Sequence, residues 1–297
     1  MKPTGIDNLS AEDAAVIREL SPILDIVFVK AIGASERKFY IETKQGMKRM
    51  LRITPIKDYR WVKNSDRVFE YIATAGINVT RQVSEGFFNE GTLVYQLWIW
   101  IDGEDLAKAL PRMNPAEQFA AGIKCGEAAR KLHTLPPLDT PEEPLWGRRK
   151  REVQEKIESY ADKPIKTHGE DLLIGYLRNN IGLLDNRPQT FTYGDWNTGN
   201  LMLTPDGQIV LIDGGENCGD PWWEFWEISG DADEMPHYYT GLIKGYFEGE
   251  PPAEYFPLFA FYVAKGYLDW DYDPKCVLNW FDDMRNPVPT WYLPQIN

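Results

Sequence analysis

Between Phe191 and Trp223 the chain reads FTYGDWNTGNLMLTPDGQIVLIDGGENCGDPWW, and this stretch leaves few folding choices. Phe191 to Tyr193 is a short β-rich run ended by Gly194. Asp195 to Asn200 is polar and turn-prone. Leu201 to Leu203 and Gln208 to Ile212 are apolar strands joined by Thr204-Pro205-Asp206-Gly207, a strong turn signal. Pairing Leu203 with Gln208 sets Asn200 opposite Leu211. Strand parity then sends Asn200, Ile209 and Asp213 to one face, and Leu201, Leu203, Val210 and Ile212 to the other. An amide and a carboxylate are expected at the open end of a hairpin, with Asp195 in the loop before it.

That arrangement has a chemical use. A hard divalent cation takes oxygen ligands, and Mg²⁺ is usually held by one or two protein groups plus substrate phosphates. Asn200 and Asp213 supply such a pair. Asp195 is then left to orient a hydroxyl nucleophile and accept its proton. An Asp base, an Asn five residues on and a metal-binding Asp on the next hairpin are the parts of a kinase catalytic loop. Taken singly, Asp, Asn and Gly in this loop read as ordinary turn residues; the ordered set is what carries the argument.

The segment resembles the catalytic core of the aminoglycoside phosphotransferase and choline kinase-like family, which often reads H-G-D-x-x-x-x-N followed by I-D on the next hairpin. The matching residues are Tyr193-Gly194-Asp195, Asn200, Ile212-Asp213 and Gly219-Asp220-Pro221-Trp222. The departures are Tyr193, where a His is common, and Gly214-Gly215 after Asp213. His168-Gly169-Glu170 imitates the motif but lacks the following Asn and hairpin, and reads as a helix start. The resemblance implies an α+β, protein-kinase-like fold in two lobes. Residues 1–102 would form an antiparallel N-lobe sheet with one helix, and 103–297 a helical C-lobe. The nucleotide, ATP or GTP, would lie in the cleft with Mg²⁺.

The order of elements in the first hundred residues agrees. Ser10 precedes a short helix to Leu20 as an N-cap. Leu24–Ile32, Lys38–Thr43 and Met47–Ile53 read as a three-stranded meander. By the resemblance its first turn lies over the nucleotide phosphates, and Ser35 is the candidate contact there. Arg52 stands alone among Met50, Leu51 and Ile53, where the kinase fold places a phosphate-binding Lys. A guanidinium can do the same with a bidentate fork; a surface cation on an amphipathic strand is the plainer reading. Tyr59 to Thr74 is helical by pattern. The fold puts an acid there to pair with the strand cation, and Asp66 and Glu70 both qualify. Val83–Phe88 and Thr92–Ile101 complete the sheet. Asp102 to Asp105 then mark a hinge. Adenine would bond backbone around Ile99 to Ile101, while Trp98 and Trp100 read as core.

Helices are expected at Pro115–Leu132, Arg148–Tyr160, Asp171–Leu184, Trp222–Ile228, Pro236–Phe247 and Tyr255–Leu268. His133 reads as a helix-end cap favoured by the dipole. The net charge of −13 argues against nucleic acid and anionic membranes as partners. Three widely separated cysteines without CxxC suggest free thiols in a reducing compartment. With no signal-like N-terminus and no long apolar run, a cytoplasmic location is expected. No GxxxxGK[ST], GxSxG or HExxH occurs, so P-loop, hydrolase and zincin chemistries lack their signatures.

The acceptor is expected to be a small-molecule hydroxyl, and charge suggests its class. In the kinase-like fold it lies between the catalytic loop and the C-terminal helices. Those stretches carry Glu216, Glu224, Glu227, Asp231, Asp269 and Asp271 with few cations between them. An anionic cleft concentrates polycations such as aminoglycosides. Choline would need an aromatic cage, for which Trp222, Trp223, Trp226, Trp270 and Tyr272 are available. A macrolide could use the same aromatics.

Overall fold

The computed structural model describes residues 3–32, 37–63, 65–139, 142–160, 162, 169–215, 217–230, 232–269 and 288–293. The chain divides into two compact units, Met1–Thr74 with Asn78–Gly103, and Ala75–Ile77 with Glu104–Asn297.

The first unit begins with helix α1 (Ala11–Leu24), capped by Ser10, whose hydroxyl accepts from the Asp13 N–H. The helix runs past the expected end at Leu20 and contains Pro22; Asp25, at φ 53°, stops it. Strands β1 (Ile26–Ile32), β2 (Lys38–Thr43), β3 (Lys48–Pro55), β4 (Gln82–Phe88) and β5 (Leu93–Ile99) form an antiparallel sheet in the order β1-β2-β3-β5-β4. Alternation sorts its faces. Val29, Phe39, Ile41, Leu51, Ile53 and Leu97 pack with Ile17 and Leu20 of α1 in one buried core. Arg52, its cross-strand neighbour Gln96, and Trp98 face the other way. There helix α2 (Ser65–Ala73) presents Phe69 to Trp98 edge to face at 5.6 Å.

The helix expected from Tyr59 is shorter. Ile56–Trp61 is a 3-10 turn, and the α-helix starts only at Ser65. The buried Gln96 explains the break: its amide donates to the Val62 carbonyl at 3.0 Å and to Gln82 at 2.8 Å. A carbonyl engaged by a sheet side chain no longer serves a regular helical ladder.

The second unit is mainly helical: α3 (Leu106–Ala109), α4 (Pro115–Leu132), α5 (Leu145–Tyr160), α6 (Glu170–Asn180), α7 (Pro236–Phe247) and α8 (Tyr255–Asp269). The helix expected to reach Leu184 ends at Asn180 in a 3-10 turn. Two small sheets accompany the helices. One joins β6 (Glu104–Asp105), β8 (Leu201–Leu203) and β9 (Ile209–Leu211); the other pairs β7 (Thr190–Thr192) with β10 (Asn217–Gly219). Among the described residues no helix is long and apolar enough to cross a membrane.

Helices α4 and α7 touch backbone to backbone. A Cβ on Gly122 would lie 2.1 Å from the Tyr238 carbonyl oxygen, and one on Gly126 2.1 Å from that of Leu242. Reciprocally, Gly241 and Gly245 sit under the Phe119 and Ile123 carbonyls at 2.3 Å. No side chain yields here, so any methyl must push the helices apart. Gly126→Ala is therefore expected to cost about 1–3 kcal/mol or more, as overpacking does. Urea unfolding reads this directly; unchanged stability would contradict the close approach.

Candidate active site

The hairpin forms in a different register from the one expected. Leu203 pairs with Ile209, and Leu201 with Leu211. Thr204 and Gln208 close a three-residue loop, Pro205-Asp206-Gly207, with Gly207 at φ 75°. This is the turn with a glycine bulge that three-residue hairpins favour. Asn200 consequently lies opposite Ile212, whose N–H it accepts at 3.1 Å. Parity no longer places Asn200 and Asp213 on one face. What governs Asp213 is the loop after β9.

That loop is governed by Tyr193. The Asp213 N–H donates to the Tyr193 hydroxyl at 3.2 Å, and the Gly215 N–H donates to the Tyr193 carbonyl at 3.1 Å. A Cβ on Gly214 would stand 2.2 Å from the Tyr193 ring. The ring fills the space that any larger residue at 214 would need, so the two departures from the family pattern are one arrangement. Burial drives the Tyr193 phenol far above its ordinary pKa, with the Asp213 charge adding to this. Tyr193 thus stays a neutral hydroxyl.

Asp195 lies exposed in the loop. The Asn200 amide donates to its Oδ2 at 2.7 Å and to its backbone carbonyl at 3.1 Å. The Asn197 amide donates to Oδ1. With the Asn200 N–H groups directed at Asp195, its amide oxygen is the atom left for a ligand. That oxygen and the Asp213 carboxylate are hard donors of the kind Mg²⁺ takes. Among the described residues no three His, Cys, Asp or Glu side chains gather as an all-protein metal site.

Glu224 was expected among the acceptor-side acids, but it is buried beneath the loop. Its Oε2 accepts from the Tyr193 N–H and its Oε1 from the Gly194 N–H, both at 2.6 Å. His133, expected only as a helix cap, turns its ring inward. Its Nε2–H donates to Glu224 at 3.3 Å, since an ionised carboxylate can only accept, and Nδ1 meets the Tyr246 hydroxyl at 2.9 Å. The sequence did hold a signal: Glu224 is a lone acid inside the aromatic run Trp222 to Trp226. Nearby, Asp220 is clamped by the Arg187 guanidinium through both oxygens, by the Tyr262 hydroxyl at 2.5 Å and by the Trp222 N–H at 2.9 Å.

The other candidates are distributed as follows. Ser35, Glu216, Asp231 and Asp271 lie outside the described residues, as do Trp270 and Tyr272. Asp66 is half-buried and Glu70 exposed. Burial, then the charges of Glu70 and Glu85, raises the Asp66 carboxyl above its ordinary pKa, while a bond from the Gln82 backbone opposes them. The Ile99 N–H donates to the Arg81 carbonyl at 2.9 Å and its own carbonyl accepts from the Thr80 hydroxyl. Asp269 holds Lys265 and stands 3.8 Å from Lys156. Glu227 is exposed, yet partial burial, then the charges of Asp195 and Glu224, raise its carboxyl.

Glu224→Gln tests the clamp. The amide would turn one N–H₂ group against a backbone N–H, leaving a buried donor unsatisfied at about 1–3 kcal/mol. Lower stability and a fall in kcat of about tenfold or more are expected, because Asp195, the candidate base, sits on the clamped loop. Wild-type kcat in a folded Glu224→Gln protein would disprove the dependence.

The sequence profile of the phosphotransferase enzyme family (APH) matches residues 30–256. No curated protein sequence matches the chain. Among solved structures, the fold is similar to an aminoglycoside-3'-phosphotransferase of type VIII at 15% identity, covering 89% of this chain and 100% of that one with a TM-score of 0.55. An aminoglycoside phosphotransferase from Streptomyces rimosus, in complex with ADP and streptomycin, matches at 16% identity over 88% of this chain and 100% of that one, TM-score 0.56. The GDP complex of wild-type aminoglycoside 2'-phosphotransferase-IIIa matches at 12% identity over 94% of each chain, TM-score 0.63. With an antiparallel sheet unit, a helical unit and a profile match across most of its length, the chain belongs to the phosphotransferase enzyme family and is a small-molecule kinase.

Proposed function

We propose that this kinase transfers the γ-phosphoryl group of ATP or GTP to a hydroxyl of a small cationic acceptor, an aminoglycoside or a similarly aminated antibiotic. The observation that carries the reaction is the fixed Asp195 carboxylate with Asn200 bonded to it. Asp195 orients the acceptor hydroxyl and takes its proton as the new O–P bond forms and the bond to the β-phosphate oxygen breaks. The transition state is loose, so positioning and charge neutralisation carry most of the catalysis. Mg²⁺, held by the Asn200 amide oxygen and the Asp213 carboxylate, would supply charge neutralisation at the phosphates. In the sheet unit, Arg52 is assigned to the nucleotide phosphates and the Ile101 backbone to adenine. Relatives of this fold bound to ADP and to GDP support a nucleotide co-substrate.

The acceptor class rests on Glu227, an exposed acid within the electrostatic reach of Asp195. An ammonium group placed there would relieve the repulsion among Asp195, Glu224 and Glu227. Choline is less well served. The Trp222 face carries the Arg187 guanidinium at 4.2 Å. Trp223 carries Arg149 at 4.2 Å and Lys265 at 5.1 Å, and Trp226 is buried. These rings already hold the protein's own cations.

Asp195→Ala should lower kcat by roughly two to four orders of magnitude, the usual span of general acid–base catalysis, while nucleotide affinity survives. A retained rate would refute the base assignment. A coupled nucleotidase screen with ATP and GTP should show turnover with aminoglycosides and a KM that rises with salt. Turnover confined to neutral or anionic alcohols would defeat the cationic acceptor.

Glu227→Gln should raise KM for the cationic acceptor and leave kcat with saturating acceptor nearly unchanged. The sign of its stability effect follows from the pKa. A carboxyl raised in the folded state favours the protonated protein, so above the ordinary carboxyl range the charged Glu227 opposes folding and stability falls as pH rises. The Gln variant should therefore unfold at an equal or slightly higher temperature at pH 8. A lower midpoint at that pH, or an unchanged KM, would remove Glu227 from the acceptor site.

A further inference from the structure

Asn197 has no part in the motif set, yet both its side chain and its backbone bind neighbours in the catalytic loop. Its amide N–H₂ donates to Asp195 Oδ1, and its backbone N–H donates to the Asp195 carbonyl at 2.9 Å. Its amide oxygen accepts from the Gly199 N–H at 2.8 Å, capping the 3-10 turn Thr198–Asn200. Its own carbonyl accepts the Asn200 N–H at 3.1 Å. One side chain therefore binds the carboxylate at one end and the turn that delivers Asn200 at the other.

The Asn200 amide takes Oδ2 of the same carboxylate. Held by one amide alone, an exposed carboxylate could still swing about its χ2 torsion, which is broad and nearly two-fold. Held through both oxygens, it cannot rotate without breaking one of the two bonds. Each oxygen keeps a lone pair for the incoming hydroxyl.

We propose that Asn197 is a positioning residue for phosphoryl transfer: it fixes the Asp195 carboxylate by its second oxygen and ties that orientation to the turn bearing Asn200. This inference rests on Asp195 being the base. The two halves of the role are separable, because Asp caps a helical turn as well as Asn does but has no N–H to donate. Asp at 197 would keep the Gly199 bond and set a negative charge against Asp195.

The test compares Asn197→Asp, Asn197→Ala, Asp195→Ala and the double variant Asp195→Ala/Asn197→Asp, each in the full chain, with single-turnover rates, nucleotide KM and thermal midpoint. Asn197→Asp is expected to keep the midpoint and nucleotide KM of the parent and to lose about tenfold or more in kcat, the scale of a misplaced catalytic group. Asn197→Ala should lose rate similarly. In the Asp195→Ala background, Asn197→Asp should lose nothing further, because its effect runs through the carboxylate. Wild-type kcat in Asn197→Asp, with Asp195→Ala inactive, would overturn the proposal and leave the base assignment standing. An additive loss in the double variant would also overturn it, as that marks a general structural role. A retained rate in Asp195→Ala would instead remove the base, and this proposal with it.

Discussion

The catalytic loop depends on one buried carboxylate. Glu224 accepts the consecutive N–H groups of Tyr193 and Gly194, one on each oxygen. Two adjacent backbone donors point the same way only when the chain leaves the extended conformation, and Gly194 at φ 83° allows this. A buried charge is tolerable when its lone pairs are satisfied, and His133 supplies the further donor. His133 is delivered by the end of α4 and braced by Tyr246 from α7. The glycine contacts between these two helices therefore reach the reaction indirectly. They set where His133 stands, His133 helps hold Glu224, and Glu224 fixes the turn that exposes Asp195.

A second dependency links Asp195 to Asp213. In the family pattern a His often precedes the Gly-Asp pair; here a Tyr does, and its ring needs the space left by Gly214. The longer side chain reaches the Asp213 N–H with a hydroxyl kept neutral by burial. The proposed base and the proposed metal ligand follow different strands, yet both are referred to Tyr193: Asp195 by two residues of chain, Asp213 by a hydrogen bond. A substitution in the motif thus comes with its own compensation twenty-one residues later.

Charge among the acids after the catalytic stretch is less uniform than their bare count suggests. Glu224 is internal, Asp269 sits with two lysines, and Asp220 is clamped by Arg187. Glu227 differs in that the charges raising its carboxyl, Asp195 and Glu224, are of like sign. The tryptophans show the complementary effect. As free rings they would suit a quaternary ammonium, but Arg187, Arg149 and Lys265 already occupy the faces of Trp222 and Trp223.

By itself the sequence determined the order of the elements and pointed to the family. Short β-rich runs bounded by turn signals gave the five strands of the first sheet, and α4 and α7 matched from end to end because a proline in the first turn and apolar spacing are local properties. Asp195, Asn200 and Asp213 stood out as a candidate set because a metal-assisted transfer to a hydroxyl would constrain both residue type and spacing. The hairpin register was not legible: Gly207 in the left-handed region shifts the pairing by one residue, and a one-residue slip reverses every face. The helix at Tyr59 failed for a non-local reason, a glutamine thirty-four residues away taking the Val62 carbonyl. Glu224 looked like an acceptor acid despite its place inside the aromatic run Trp222 to Trp226, and His133, which does end α4 as expected, gave no local sign of its buried partner. Only the tertiary structure, which brings His133, Tyr193 and Glu224 together across ninety-one residues of chain, decided that they hold the loop. Hydrogen bonds to buried charges need partners from distant segments, and no local pattern encodes which segments will meet.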